Sequence, residues 1–158
     1  MLDVLKGLDG GTYTLIVRVL DPLDIRIGCL GYVKFDVGVY TYTGSALSRR
    51  LGLYHRVSRH LNRVKRVRWH IDHLLNSGGV SVYAICVSHS LFRFECSVAE
   101  RIMDVLGGVP INGFGCSDCN CKSHLHFFGH INPMELLNMV FNVYSNLGLN
   151  PVKIVYDA

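Results

Sequence analysis

The sequence predicts an α+β fold in which a small antiparallel sheet is flanked by helices. Up to Thr43 it contains three β-branched and aromatic runs separated by turn residues, a pattern typical of an antiparallel meander. Beyond Ser45 the apolar residues recur at helical spacing, so the predicted helices follow the first strands. The length of 158 residues suits one domain, since roughly 100–200 residues per domain is usual.

The composition excludes two classes of protein. Hydrophobic residues make up 49% of the chain and charged residues 18%, against roughly 25% in ordinary soluble domains, which rules out intrinsic disorder. The longest dense apolar stretch, 82–87, is far shorter than the roughly 18 residues of a membrane-spanning helix. Because residues 1–7 also lack the pattern of a secretory signal, we expect a soluble cytoplasmic protein without a membrane partner.

The first strands are bounded by turn residues. The run from Thr12 to Leu20 predicts a strand, and residues 21–24 predict a tight reversal after it. A second run, from Ile25 to Phe35, is interrupted by two glycines, and a third run covers 39–43. We expect these runs to pair as neighbours in one sheet.

The later elements follow from apolar spacing and helix caps. The apolar stripe of the first helix consists of Leu53, Val57, Leu61 and Val64. Further helices are predicted over 69–75, 93–106 and 133–148, a buried strand over 80–87 and a closing strand over 152–156. Asn132 as N-cap and Pro133 as first helical residue mark the start of the last helix. We expect residues 1–158 to form one domain, in which 131–158 are a C-terminal helix and strand extension.

The positive charge is concentrated in one segment. Eight of the sixteen Lys and Arg residues lie within 49–68, and the rest of the chain has eight cations against twelve acids, so +8 stands beside −4. Such a basic segment, expected to be mainly helical, predicts a surface that binds a polyanion, with a solvated helix face as the alternative. Nucleic acid is the favoured ligand. The predicted DNA-binding residues are Arg49, Arg50, Arg59, Arg63, Lys65, Arg66 and Arg68.

Glu95 is an unusual carboxylate in a chain with three glutamates. It lies four residues before Ala99 and seven before Ile102, on the inward stripe of its helix, whereas Glu100 lies off that stripe. An inward carboxylate is costly unless it is paired or bound to a cation, so a divalent metal ligand is one interpretation. The other is that Glu95 interacts with the helix dipole at the start of its helix. The residues alone leave both open.

The order of several motifs points to a known family. Gly11-Thr12-Tyr13 opens the first strand, Tyr42-Thr43-Gly44 closes the third, and Arg56, His60 and Glu95 follow in that order. This arrangement resembles the GIY-YIG nuclease superfamily. The segments 38–46, 56–60, 69–72, 95–96 and 114–125 resemble a smaller prokaryotic branch, some members of which are fused to endonuclease III-like repair glycosylases. The resemblance covers residues 7–128.

The resemblance implies a metal-dependent endonuclease that hydrolyses phosphodiester bonds of DNA, in repair, with one Mg²⁺ or Mn²⁺ ion. Glu95 would hold the metal and Arg56 would neutralise charge on the phosphate. Tyr13 or Tyr42 would orient the attacking water or accept its proton, and His60 would share that task or bind phosphate.

The same resemblance implies DNA as the partner, with RNA as an open alternative, and a repair glycosylase as a second partner. The oligomeric state is left open between a monomer and a weak homodimer. A second interpretation is an inactive nucleic-acid-binding module that keeps the same scaffold.

The chain departs from the superfamily in its spacing. Twenty-eight residues separate Tyr13 from Tyr42, which is explained by an inserted strand and makes Tyr40 a rival of Tyr13. Arg56 lies twelve residues past Gly44, so Arg50 and Arg59 are rivals for its role.

The cysteine-rich loop is a second candidate site. Cys116, Cys119, Cys121 and His124 present four potential zinc ligands within nine residues. Structural zinc sites usually draw their ligands from separated segments, and one short loop would be strained, so we favour reduced thiols over zinc. The alternative is a secondary site near the catalytic face, formed by His70, Asp72, Asp118, Cys119, Cys121 and His124.

Overall fold

The computed structural model describes residues 1–47, 52–63 and 65–156, and it has the predicted α+β architecture. The strands are β1 (Gly11–Val19), β2 (Leu23–Arg26), β3 (Tyr32–Phe35), β4 (Gly38–Ala46), β5 (Val80–His89), β6 (Val109–Pro110), β7 (Leu125–Phe127) and β8 (Val152–Val155). The helices are α1 (Leu53–Leu61), α2 (His70–Leu75), α3 (Glu95–Leu106) and α4 (Pro133–Asn146). Short 3₁₀ turns cover Leu2–Leu5 and Gly28–Leu30.

Within the described residues, six strands form one antiparallel sheet in the order β6-β7-β4-β1-β5-β8. The first predicted strand is confirmed as β1, which lies in the interior of the sheet between β4 and β5. Its residues from Gly11 to Val17 are all buried. Both faces of β1 are covered by other parts of the fold, which suits its run of β-branched and aromatic side chains.

The predicted meander is wrong in one respect. The run from Ile25 to Phe35 does not enter the large sheet; it contributes to β2 and β3, which pair as a separate hairpin, so β1 pairs directly with β4. Gly28 and Gly31 have φ values of 44° and 76°, a region that glycine adopts without strain, and they turn the chain between the two short strands. The insertion between Tyr13 and Tyr42 is therefore this hairpin.

The large sheet has a hydrophobic cluster on each face. Alternate β1 residues Tyr13, Leu15 and Val17 belong to the cluster that includes α1 and α2 residues. Ile16 belongs to the cluster formed with α3 and α4. The two-residue period of a strand thus sends Tyr13 toward the basic helix α1 and its neighbour Thr14 toward α4.

The C-terminal elements complete both the second cluster and the sheet. The Asn132 side-chain oxygen accepts hydrogen bonds from the Met134 and Glu135 backbone at 2.9 and 3.3 Å, as the predicted cap requires. Leu137 and other apolar side chains of α4 are fully buried. The closing strand pairs with β5 in its own chain, where Ile154 lies opposite Ile85.

The basic segment is less helical than expected. Helix α1 ends at Leu61 and α2 begins at His70, and the described residues between them form no helix. The Asp72 carboxylate accepts backbone hydrogen bonds from Arg68 and Trp69, which caps α2 and keeps the chain before it out of a helix. Val64, predicted to belong to the apolar stripe of the first helix, lies outside the described residues. Among the described helices, none combines the length and apolar character that crossing a bilayer requires.

A candidate active site beside a cysteine and histidine cluster

A cleft of about 90 Å³ lies at one end of the large sheet. The ladder between β4 and β7 covers Tyr40 to Tyr42, and β4 continues beyond it to Ala46. The cleft is lined by Tyr13, Tyr42, Gly44, Ser45, Arg56, Trp69, Glu95, Gly115, Asp118, Cys119 and His124. It therefore brings together most of the predicted catalytic side chains, which come from β1, β4, α1 and the start of α3.

Two larger depressions among the described residues, of about 390 and 370 Å³, lie elsewhere. The first is lined partly by Arg63 and Lys65, and the second by the N-terminal turn and Tyr54. Neither lining includes Glu95. Size alone does not identify a site. The first depression includes His60 and Lys65, whose pKa values are lowered by burial, but of these three cavities the small cleft alone combines Tyr13 and Tyr42, whose pKa values are raised, with Arg56 and Glu95.

Tyr13 is held by a glycine below it and a histidine behind it. Gly44 lies directly opposite Tyr13 in the ladder, and a Cβ atom there would stand 2.6 Å from the Tyr13 hydroxyl oxygen. Only glycine leaves room for the phenol to lie across β4. The same hydroxyl is 2.7 Å from Nε2 of His60, which is 2% exposed and does not line the cleft itself.

The surroundings set the charge of these groups. Burial raises the pKa of Tyr13, although the Arg56 guanidinium opposes that shift, and burial also raises the pKa of Tyr42. Burial lowers the pKa of His60 to about 3, so its imidazole is neutral at pH 7. The rival Tyr40 is placed differently, because its hydroxyl donates to the Asp36 carbonyl at 2.8 Å and it does not line the cleft.

Two arginines of α1 have different partners. The Arg56 guanidinium lies 4.3 Å from the centre of the Trp69 ring and lines the cleft. Arg59 also contacts Trp69, at 4.4 Å, but donates two hydrogen bonds to Asp72 at 2.8 and 2.9 Å. Arg59, the alternative to Arg56 as the phosphate-binding arginine, therefore forms an internal ion pair with Asp72. The other alternative, Arg50, lies outside the described residues.

His70 and Asp72 support the framework and do not line the cleft. Asp72 is fully buried; burial raises its pKa, but hydrogen bonds from Arg59 and from the Trp69 and Arg68 backbone outweigh that and hold the pKa below its usual value. His70 Nδ1 accepts a hydrogen bond of 2.9 Å from the Gly115 backbone, which anchors the cysteine-rich loop. The predicted secondary site is therefore divided. Asp118, Cys119 and His124 line the cleft, whereas His70, Asp72 and Cys121 do not.

Glu95 is both the first residue of α3 and a wall of the cleft. Its Oε2 accepts a hydrogen bond of 2.8 Å from the Ser45 hydroxyl, and its Oε1 lies 3.9 Å from the Arg93 guanidinium. The side chain is 16% exposed. The carboxylate lies at the positive end of the helix dipole and also faces the cleft. Both interpretations of the sequence, a dipole interaction and a metal ligand, are compatible with this position.

A cluster of sulfur and nitrogen donors adjoins Glu95. It consists of Cys96, Cys119, Cys121 and His124, whose ligand atoms all lie within 4.8 Å of one another. Cys96 comes from α3 and was missed by the sequence motif, which used Cys116 instead. The available signal was its position next to Glu95. Because one ligand comes from a separate helix, the strain expected of a single loop does not apply.

The cluster has the donors to hold a metal ion. Thiolate and imidazole donors suit zinc rather than magnesium or manganese, which prefer oxygen. Burial lowers the pKa of His124, which keeps its imidazole in the neutral form that binds metals. Burial raises the pKa of Cys121 to about 12, although the hydrogen bond with Cys96 opposes that shift, so a cation binding there must displace its proton.

Among the described residues, the remaining predicted DNA-binding side chains do not line the cleft. Arg63, Arg66 and Arg68 are exposed. The Lys65 ammonium donates to the backbone carbonyls of His60 and Asn62, at 3.3 and 2.7 Å. The predictions for Arg49 and Arg50 fall outside the described residues.

The protein is a small α+β domain with a cleft, lined by ionisable side chains, at one end of its large sheet. The sequence profile of the family described as Domain of unknown function DUF123 matches residues 12–147, so the chain belongs to this family. No curated protein and no solved structure matches the chain.

Proposed function

We propose that this protein is a metal-dependent endonuclease of the GIY-YIG type that hydrolyses phosphodiester bonds of DNA. The observation that carries the proposal is the meeting of Tyr13, Tyr42, Arg56 and Glu95 in one cleft. These residues come from distant parts of the chain, and they are the residue types that water activation, phosphate neutralisation and metal binding require. The resemblance of the motifs adds a role in DNA repair to the proposal.

Arg56 would bind the scissile phosphate. Its guanidinium is planar and permanently charged, and the Trp69 ring 4.3 Å away supports it within the cleft. A fork of this shape matches two phosphate oxygens, and it would offset the charge that grows on them as water attacks.

Tyr13 would orient the attacking water. His60 is neutral and its Nε2 lies 2.7 Å from the hydroxyl oxygen; in the tautomer that carries its proton on Nδ1, Nε2 accepts a hydrogen bond from the phenol and leaves the oxygen lone pairs for a hydrogen bond from water. The raised pKa of Tyr13 keeps the phenol protonated at neutral pH. His60 is therefore a positioning residue, and Tyr42 lines the cleft beside this pair.

Glu95 fits one hard divalent ion. The Ser45 hydroxyl fixes Oε2, and the carboxylate faces a cleft that has room for water, an arrangement magnesium accepts because it keeps several water ligands. When bound, Mg²⁺ or Mn²⁺ supplies polarisation of the phosphate and stabilisation of the leaving oxygen.

The test is cleavage of intact, nicked, flapped and abasic DNA, and of matched RNA, with magnesium or manganese. We expect Glu95→Gln to lower the rate by about 10²–10³-fold, in line with the loss of one electrostatic contact in a transition state. Glu100→Gln is the matched control, because Glu100 is exposed on the same helix. This variant should cleave DNA at the wild-type rate. Absence of cleavage by wild type, or equal cleavage by Glu95→Gln, rejects the proposal.

A binding module without turnover is the second candidate, and the exposed Arg63, Arg66 and Arg68 favour it. Binding without metal, with an affinity that falls steeply with salt and is weakened by Arg63→Ala, would select it if no cleavage occurs. Arg59→Ala is unsuitable for this purpose, because it breaks the ion pair with buried Asp72.

A further inference from the structure

We propose that Cys96, Cys119, Cys121 and His124 bind one structural zinc ion that joins the start of α3 to the loop before β7. This site is separate from the magnesium or manganese ion proposed at Glu95. It depends only on the positions of the four side chains and not on the proposed nuclease activity.

The spacing of the donor atoms carries the proposal. Cys96 and Cys121 Sγ atoms are 2.9 Å apart, and Cys119 and Cys121 Sγ atoms 3.2 Å apart. His124 Nε2 lies 2.9, 3.4 and 3.6 Å from the sulfurs of Cys121, Cys119 and Cys96. Tetrahedral zinc, with bonds of about 2.3 Å to sulfur and about 2.0 Å to nitrogen, spaces its ligands by about 3.5–3.8 Å, so a small outward adjustment accommodates the ion.

Cys116 is not part of this ligand set, because the group of donor atoms that all lie within 4.8 Å of one another does not include its sulfur. Its sulfur lies 3.9 Å from that of Cys121 and donates to the Phe114 carbonyl at 3.5 Å. The ligands therefore come from two elements, one from α3 and three from the loop, which is the arrangement that closes a structural site.

Four protein ligands leave zinc no open position, so the ion would hold structure and not activate water. Its structural role follows from the backbone around His124. The His124 amide donates to the Phe114 carbonyl at 2.9 Å, and the His124 carbonyl accepts from the Thr43 amide of β4 at 3.0 Å. Zinc would thus tie β4, the loop and α3 together beside Glu95, the residue that precedes Cys96 in the chain.

The experiment measures metals in the full-length protein after removal of any affinity tag. Elemental analysis should find about one zinc ion per chain, and cobalt substitution should give the absorption of tetrahedral thiolate coordination. Cys96→Ser and Cys121→Ser should reduce the zinc content several-fold or more. Cys116→Ser and Cys29→Ser, the latter at an exposed cysteine, are matched controls and should retain zinc.

Cys116→Ser losing zinc while Cys96→Ser keeps it would overturn the assigned ligand set. Wild type that contains no zinc, that contains iron instead, or that holds these cysteines as a disulfide would overturn the site. Should Cys96→Ser fail to fold, thiol titration of wild type decides: zinc release should accompany modification of cysteines, and thiols that react fully without releasing zinc reject the proposal. Zinc without cleavage of any nucleic acid would reject only the nuclease.

Discussion

Two groups of residues border the cleft and are built in different ways. The aromatic wall consists of Tyr13, Arg56 and Trp69, which line the cleft, and His60, which lies behind Tyr13; it packs against the buried core and is connected by hydrogen bonds and ring contacts. The sulfur wall consists of the four proposed zinc ligands, of which Cys119 and His124 line the cleft, and it lies mostly on a loop with little regular structure.

The two walls depend on different sources of structural order. Apolar burial and the pairing of β1 with β4 position Tyr13 before any ligand binds. Between residues 115 and 122 the loop contains no buried residue, so burial orders it less, and bound metal supplies order in small structural sites. We therefore expect changes in the core to disrupt the aromatic wall and leave the zinc content unchanged.

The largest expected effect comes from the ion pair under the aromatic wall. Asp72→Ala removes the acceptor of two Arg59 hydrogen bonds and two backbone hydrogen bonds, and should lower the free energy of unfolding by about 3–5 kcal/mol. Urea denaturation measures this. Asp3→Ala breaks an exposed ion pair with Lys6 and should have no measurable effect. Loss of zinc from folded Asp72→Ala would show that the walls are not independent.

A smaller effect is expected from the contact between β1 and β4. Gly44→Ala places a methyl group 2.6 Å from the Tyr13 hydroxyl oxygen, so the phenol or the strand must shift. Overpacking of this kind costs about 1–3 kcal/mol, and the displaced hydroxyl should also reduce cleavage. Gly78→Ala is the control, because a Cβ there meets nothing within 4 Å. Equal stability of the two variants in urea would contradict the close approach.

The last effect is gradual, because it is spread over several pH units. His60 has a pKa of about 3 in the fold against 6.5 ordinarily, so the unfolded chain binds its proton first as the pH falls. The stability it contributes is complete above pH 6.5 and is lost toward pH 3, by about 1.4 kcal/mol per pH unit. Unfolding measured between pH 7 and pH 4 should show a shallower decline for His60→Gln. Exposed His55→Gln should keep the wild-type slope, and an unchanged slope for His60→Gln would refute the buried neutral imidazole.

Local features of the fold were predictable because they depend on neighbouring residues. The strand pattern of 12–20, the Asn132 cap and the stripe of Leu53 and Val57 are each confirmed. The hairpin of β2 and β3 was not predictable, since a β-rich run gives strands but not their partners.

The candidate site was predictable to the extent that its motifs are local. Tyr13, Tyr42, Arg56 and Glu95 were selected because the order of their motifs resembles the GIY-YIG superfamily, and all four line one cleft. Arg59 could not be separated from the other cations, because its partner Asp72 is thirteen residues away and becomes adjacent only when α1 and α2 pack.

The α+β class and the Asn132 cap could be read from the amino-acid sequence, because propensity and hydrophobic period are short-range properties. Which of the candidate side chains meet depends on the packing of distant segments. Cys96, and not Cys116, belongs to the donor group with Cys121. The reason is that pairing between distant residues brings the end of the loop against β4, where α3 also begins. The geometry of the donor atoms results from that packing, and no helical or strand period in the sequence predicts it.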